Sequence, residues 1–199
     1  MMLHLIFQWI GNNYIELLGS ILGFAYILLS IKQNIWCWPV GLATSALYIY
    51  VFFVSKFYAD MSLQVYYVIA SIYGWFHWMY GARSKKSDDL KISKTGKRLA
   101  ILLFVINAGL FWIIAYILIH FTDSEIPYWD AFTTAASFVA TWMLARKMIE
   151  HWIIWVIVDT VSLGLYLYKG LYPTVILFAI YTAMAIIGYI QWKKQLARQ

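Results

Sequence analysis

Between His151 and Tyr168 the chain reads HWIIWVIVDTVSLGLYLY. Trp152, Trp155, Asp159, Ser162 and Tyr166 recur there at steps of three and four, so on a helix they share one face. Nearly everything else in the run is aliphatic, and Asp159 stands near its middle. A carboxylate at the centre of a bilayer costs on the order of 2.5–3.5 kcal/mol on insertion scales, so this face has to line a cavity or meet a partner. An acid among tryptophans and tyrosines suits a flat cation, because aromatic faces attract positive charge and a carboxylate balances it once water is excluded. The other reading of Asp159 is helix packing, with a hydrogen bond to Ser45 or Thr44.

Two further faces share this character. Trp38, Gly41, Ser45, Tyr48 and Phe52 follow the same spacing, and so do Asp60, Gln64, Tyr67 and Ser71. Gln64 offers donors and acceptors to hydroxyls or an amide. The candidate binding set is therefore Trp152, Trp155, Asp159 and Ser162 with Gln64, Ser45, Tyr48 and Tyr67. Trp36, Trp75, Trp78 and Trp192 lie near the ends of apolar runs and read as an interfacial belt, while Asn107 is expected to bond a neighbouring helix. Catalysis finds little support. An aspartyl mechanism needs two carboxylates sharing a proton, and only Asp159 lies deep in apolar sequence. His4, His77, His120 and His151 are scattered at the ends of runs, and Cys37 is the single cysteine. No catalytic pair, metal set or cofactor site is expected, and the chain is not read as an enzyme.

The elements that hold these faces follow from composition. Of the residues 63% are hydrophobic and 12% charged, against roughly 25% charged in a soluble domain, so most of the surface must face lipid. Seven apolar runs are long enough to span a bilayer, at 14–31, 36–54, 61–80, 98–121, 128–146, 150–168 and 173–192. The expected fold is an all-α integral membrane protein with seven transmembrane helices in one membrane domain, 1–199. The first run has neither a basic n-region nor a small-residue cleavage site and is expected to remain as a helix.

The net charge of +6 raises a nucleic-acid reading that the placement of the charges removes. Lys32, Arg83, Lys85, Lys86, Lys91, Lys94, Lys97, Arg98, Arg146, Lys147, Lys193, Lys194 and Arg198 all fall on one side of a seven-pass chain, and only Lys56 and Lys169 on the other. The positive-inside rule then puts the C-terminus in the cytoplasm and the N-terminus outside, with the acidic stretch Thr122–Pro127 also outside.

Sliding the chain against itself by 114 residues aligns runs one to three with runs five to seven without a gap. Trp38 meets Trp152, Tyr58 meets Tyr172, Tyr67 meets Tyr181, Gly74 meets Gly188 and Trp78 meets Trp192. The division is a first bundle, 14–80, then a basic loop, linker helix and acidic outer loop, 81–127, then a second bundle, 128–192. With one helix between them, the copies point the same way, a parallel 3+1+3 repeat. In such folds substrate binds near the midplane between bundles that rock against each other. Chance similarity of two apolar segments is the alternative.

The motif Trp152-x-x-Trp155-x-x-x-Asp159 resembles the W-x-x-W-x-x-x-N/D signature of the PnuC family of bacterial vitamin transporters. Tyr58-Ala-Asp-Met-Ser-Leu-Gln64, the Gly-x-x-x-Trp endings and Trp129-Asp-Ala-Phe-Thr-Thr134 are similar to that family as well. The resemblance implies a SWEET-like fold, often trimeric, in the bacterial inner membrane. It implies uptake of nicotinamide riboside by facilitated diffusion with alternating access, made one-way by phosphorylation inside the cell. The contacts it implies are Trp152, Trp155, Asp159 and Gln64. The riboside branch usually has asparagine at the position of Asp159, and thiamine, another flat aromatic cation, is the alternative substrate.

Overall fold

The computed structural model describes residues 18–54, 58–81, 90–168, 170 and 172–199. Its helices are α1 (Leu18–Ile31), α2 (Cys37–Val54), α3 (Tyr58–Tyr80), α4 (Lys97–Phe121), α5 (Pro127–Ala145), α6 (His151–Tyr168) and α7 (Tyr172–Leu196). No strand is present among the described residues. The expected helix start at 14, and Lys56, Arg83, Lys85, Lys86 and Lys169, lie outside them. Two bounds differ from expectation by more than one residue. Helix α3 begins at Tyr58 instead of 61, and α7 continues past Trp192 to Leu196 because Lys193, Lys194 and Gln195 are good helix formers that extend it beyond the apolar stretch.

Helices α2, α4, α6 and the Thr174–Leu196 part of α7 are each long and apolar enough to cross a membrane. Their large side chains point outward, Phe104 on α4 being 73% exposed, as a lipid-facing surface requires. Inside, bulk is replaced by small residues. Ala131, Ala135, Ala136, Ala140 and Ala145 bury one side of α5, which lets its neighbours approach closely. Proline at the start of α5 costs nothing, since that N–H has no helical partner.

The described chain divides into two compact units, breaking between Tyr80 and Gly81. In the first, α2 packs on α3 and on α1. In the second, α6 packs on both α5 and α7, and the linker helix α4 joins the bundle through α5. Leu103 of α4 meets Val139, Met143 and Met148 in an apolar cluster. The segment before α4 is clasped to the α5–α6 turn. The Ser93 N–H donates to the Lys147 carbonyl (3.0 Å), the Ile149 N–H donates to the Ser93 carbonyl (3.0 Å), and Thr95 donates to the Glu150 carboxylate through both its N–H (3.0 Å) and its hydroxyl (2.7 Å).

The 114-residue repeat reappears as backbone geometry. The α1–α2 turn is closed by N–H donation from Lys32 to Leu28, Gln33 to Ser30, Asn34 to Leu29, Cys37 to Asn34 and Trp38 to Ile35. The α5–α6 turn repeats every one of these bonds 114 positions on, from Arg146 to Trp142, Lys147 to Leu144, Met148 to Met143, His151 to Met148 and Trp152 to Ile149. Both turns also place their second residue in the left-handed region, Gln33 at φ 53° and Lys147 at φ 51°. A left-handed non-glycine residue is uncommon, so its recurrence at one register position marks two copies of one device and removes the chance-similarity alternative.

Each copy is then locked by a tryptophan seated on a glycine. A Cβ at Gly74 would stand 2.4 Å from the Trp38 indole, and one at Gly188 would stand 2.7 Å from the Trp152 indole. Trp38 meets Trp78 edge-on (5.4 Å, 90°), and Trp152 meets Trp192 in the same way (5.8 Å, 83°). Only glycine leaves room for this contact, which explains why Gly-x-x-x-Trp closes both copies. Trp78 and Trp192 are accordingly buried, not interfacial as expected, whereas exposed Trp36 keeps that reading.

Candidate functional site

On α6 the face expected from the spacing is the buried one. His151, Trp152, Val158, Asp159 and Ser162 are buried and Trp155 and Tyr166 half-buried, whereas Ile153, Ile157, Thr160, Gly164 and Leu167 are exposed. The exposed Thr160 hydroxyl is tied to the Val156 carbonyl (2.6 Å). Asp159 is 6% exposed, and within the described residues of its own unit no group hydrogen-bonds its carboxylate. A buried acid without a partner is costly, and such a group is the first place to look for a ligand. In the first unit the Thr44 hydroxyl donates to the Val40 carbonyl (2.8 Å).

Trp152, expected among the substrate contacts, is tightly packed within its own unit. It is 4% exposed, its indole is seated on Gly188 and edge-on to Trp192, and its N–H has no hydrogen-bond partner. Close helix packing has taken its face. His151, the first residue of α6, is buried beside it, 4.4 Å from the Trp152 ring and 4.8 Å from that of Trp192, with neither ring nitrogen bonded among the described residues. Cys37 holds the matching buried position in the first copy.

In the first unit Ser45 is buried at the register position of Asp159, and Gln64 and Tyr67 are half-buried on α3. Tyr48 is committed to α1: its hydroxyl is 3.1 Å from that of Ser20, its ring lies against Gly19, and Phe52 stacks on it at 5.7 Å. Asn107 also departs from expectation, since its buried side-chain oxygen has no partner among the described residues.

A cavity of about 60 Å³ lies further along α6, lined by Ile126, Asp130, Thr133, Ser162, Leu165 and Tyr166. It brings the expected residue Ser162 together with two that the spacing argument passed over, Asp130 and Thr133 of α5. Asp130 accepts a hydrogen bond from the Ser124 hydroxyl (2.6 Å), and the Thr133 hydroxyl donates back to the Trp129 and Asp130 carbonyls (3.1 Å each). Both fall in the Trp129–Thr134 stretch, so the signal was present but pointed to no face of α6.

A family model described as nicotinamide mononucleotide transporter matches residues 13–194. The chain belongs to this family. It is a multi-pass membrane transporter and not an enzyme. Among individual proteins, it is 27% identical to the nicotinamide riboside transporter PnuC of Escherichia coli (strain K12), over 90% of this chain and 85% of that one. It is also 27% identical to the riboflavin/roseoflavin transporter RibM of Streptomyces davaonensis, over 89% of this chain and 83% of that one. A crystal structure of the vitamin B3 transporter PnuC matches with a TM-score of 0.76 at 21% identity, covering 98% of this chain and 87% of that one. That likeness shows a shared fold across nearly the whole chain.

Proposed function

We propose that this transporter takes up a small, flat cationic vitamin, nicotinamide riboside first, by facilitated diffusion with alternating access and trapping by phosphorylation inside the cell. The observation that carries the reading is Asp159, buried without a partner in its unit on the aromatic-bearing face of an apolar helix. A carboxylate kept from water there is stabilised by a delocalised cation, and Trp155 supplies an aromatic neighbour one turn away. Trp152 sets the position of that turn from its seat on Gly188. Gln64, Ser45 and Tyr67 carry the polar contacts contributed by the first copy, and Tyr48 acts through its packing on α1. The naming of one relative for nicotinamide riboside agrees with this reading.

Riboflavin is the second reading, favoured by the relative RibM. The phosphorylated forms are expected to fail even though the family's description names a mononucleotide. Helices α1, α2, α3, α5 and α6 contain no lysine or arginine, and those of α4 and α7 lie at helix ends, so among the described residues no cation is placed within a helix's apolar stretch to neutralise a phosphate. The test is a binding panel on the purified chain with nicotinamide riboside, riboflavin, thiamine and nicotinamide mononucleotide. Saturable binding of nicotinamide riboside with none of the mononucleotide is expected. Tight binding of the mononucleotide, or of thiamine alone, overturns the reading.

A further inference from the structure

The two copies differ most where Tyr48 stands in the first. There a tyrosine ring lies against Gly19, whose Cβ would be 3.0 Å from it, and its hydroxyl pairs with Ser20. In the second copy the corresponding positions hold Ser162, Thr133 and Thr134. The bulk that Tyr48 supplies is missing, and the cavity of about 60 Å³ opens beside Ser162 and Thr133. One copy fills its space and the other leaves it empty and polar.

Ser162 is 7% exposed and lines the cavity, and within the described residues of its unit it has no hydrogen-bond partner. Asp130 on the facing wall uses part of its accepting capacity on Ser124 and keeps the rest, since a carboxylate offers about four lone-pair sites. The Thr133 proton is already given to backbone carbonyls, so its oxygen is an acceptor. These groups together want donors. The space holds on the order of four waters at roughly 15 Å³ each, too little for an aromatic ring but enough for a hydroxylated arm. At 1.5 Å per residue, Ser162 and Tyr166 lie about 4.5 and 10.5 Å along α6 from Asp159. A ligand whose ring faces Asp159 would bring a sugar or polyol substituent to this level.

We infer that the cavity of Asp130, Thr133, Ser162 and Tyr166 is a subsite for the hydroxylated arm of the vitamin, with the Asp130 carboxylate accepting from adjacent hydroxyls, and that this subsite selects ribosyl- or ribityl-bearing vitamins. The inference rests on the proposed reading of the α6 face as the ligand face and adds the part of the substrate that Asp159 cannot recognise.

The experiment measures affinity of the purified full chain for two pairs of ligands, nicotinamide riboside with 1-methylnicotinamide, and riboflavin with lumiflavin. Each pair shares a ring and differs in the polyol. Thiamine is the control. Wild type is compared with Asp130→Ala and with Ser162→Tyr, which fills the cavity as Tyr48 fills its counterpart. In either variant the affinity for the hydroxylated member is expected to drop about tenfold or more, and that for its ring-only partner to change less than about twofold. If Ser162→Tyr does not fold, Asp130→Ala decides alone. Equal losses for both members of a pair, or no loss for the hydroxylated one, overturn the subsite while leaving the proposed function standing. Wild type that binds riboflavin but not nicotinamide riboside, with the selective loss present, overturns the first choice of substrate and supports the subsite. Wild type that binds only thiamine overturns both.

Discussion

At Trp152 the loss of an indole seated on Gly188 and edge-on to Trp192 leaves a hole that two packed helices cannot close. Trp152→Ala is therefore expected to cost about 3–5 kcal/mol of stability, read as a large fall in the apparent melting temperature of the purified chain. Trp155 is half-buried and one turn nearer Asp159. Trp155→Ala is expected to spare stability and to weaken vitamin binding by about 1–2 kcal/mol, or roughly five- to thirtyfold, in a titration at one temperature. The reverse pattern would exchange the two roles. For Asp159, asparagine keeps shape and hydrogen-bonding capacity without the charge, and leucine removes both. Leucine is expected to abolish uptake and asparagine to change preference between vitamins, measured with labelled nicotinamide riboside and thiamine in cells. Wild-type uptake by Asp159→Leu would make the carboxylate structural.

Helix pairs are set by the glycines. A methyl group at Gly74 or Gly188 meets an indole that cannot move without breaking its contact with a second tryptophan, so Gly74→Ala and Gly188→Ala are each expected to destabilise by about 1–3 kcal/mol. Gly109 and Gly164 have nothing within 4 Å of a built Cβ, and alanine there is expected to stabilise by about 0.5–1 kcal/mol through helix propensity. Thermal unfolding of the four variants checks the contrast; destabilisation of all four alike would mean that helix context, not the seat, matters. The same contrast explains how much could be read from the chain alone. Apolar runs and step-three-and-four spacing report on burial directly, so seven helices and the inward face of α6 were legible. The matched glycines and tryptophans were visible as identities, but spacing cannot say whether an indole faces a ligand or a neighbouring helix. That is why Trp78 and Trp192 were misplaced and why the seat of Trp152 on Gly188 was not foreseen. Asp130 and Thr133 meet Ser162 only after α5 folds against α6, and one helix's periodicity holds no trace of that meeting.

For the molecule as a whole the open question is which way it lies in the membrane, and charge placement argues for one answer. The α1–α2 and α5–α6 turns carry Lys32, Arg146 and Lys147, the start of α4 carries Lys97 and Arg98, and the end of α7 carries Lys193, Lys194 and Arg198. With each of the seven helices crossing once, all of these are expected at one face and the α4–α5 connection, which holds Asp123 and Glu125, at the other. Juxtamembrane basic residues are retained in the cytoplasm during insertion, so the C-terminus is expected inside and the α4–α5 loop outside. Single cysteines in a Cys37→Ala background test this. Glu125 is exposed in the α4–α5 loop, and Gly96 is exposed before α4 with nothing within 4 Å of a built Cβ, so cysteine fits at either place. In intact spheroplasts a membrane-impermeant maleimide is expected to label Glu125→Cys and to spare Gly96→Cys until the membrane is opened. Labelling of Gly96→Cys from outside, with Glu125→Cys protected, would invert the orientation.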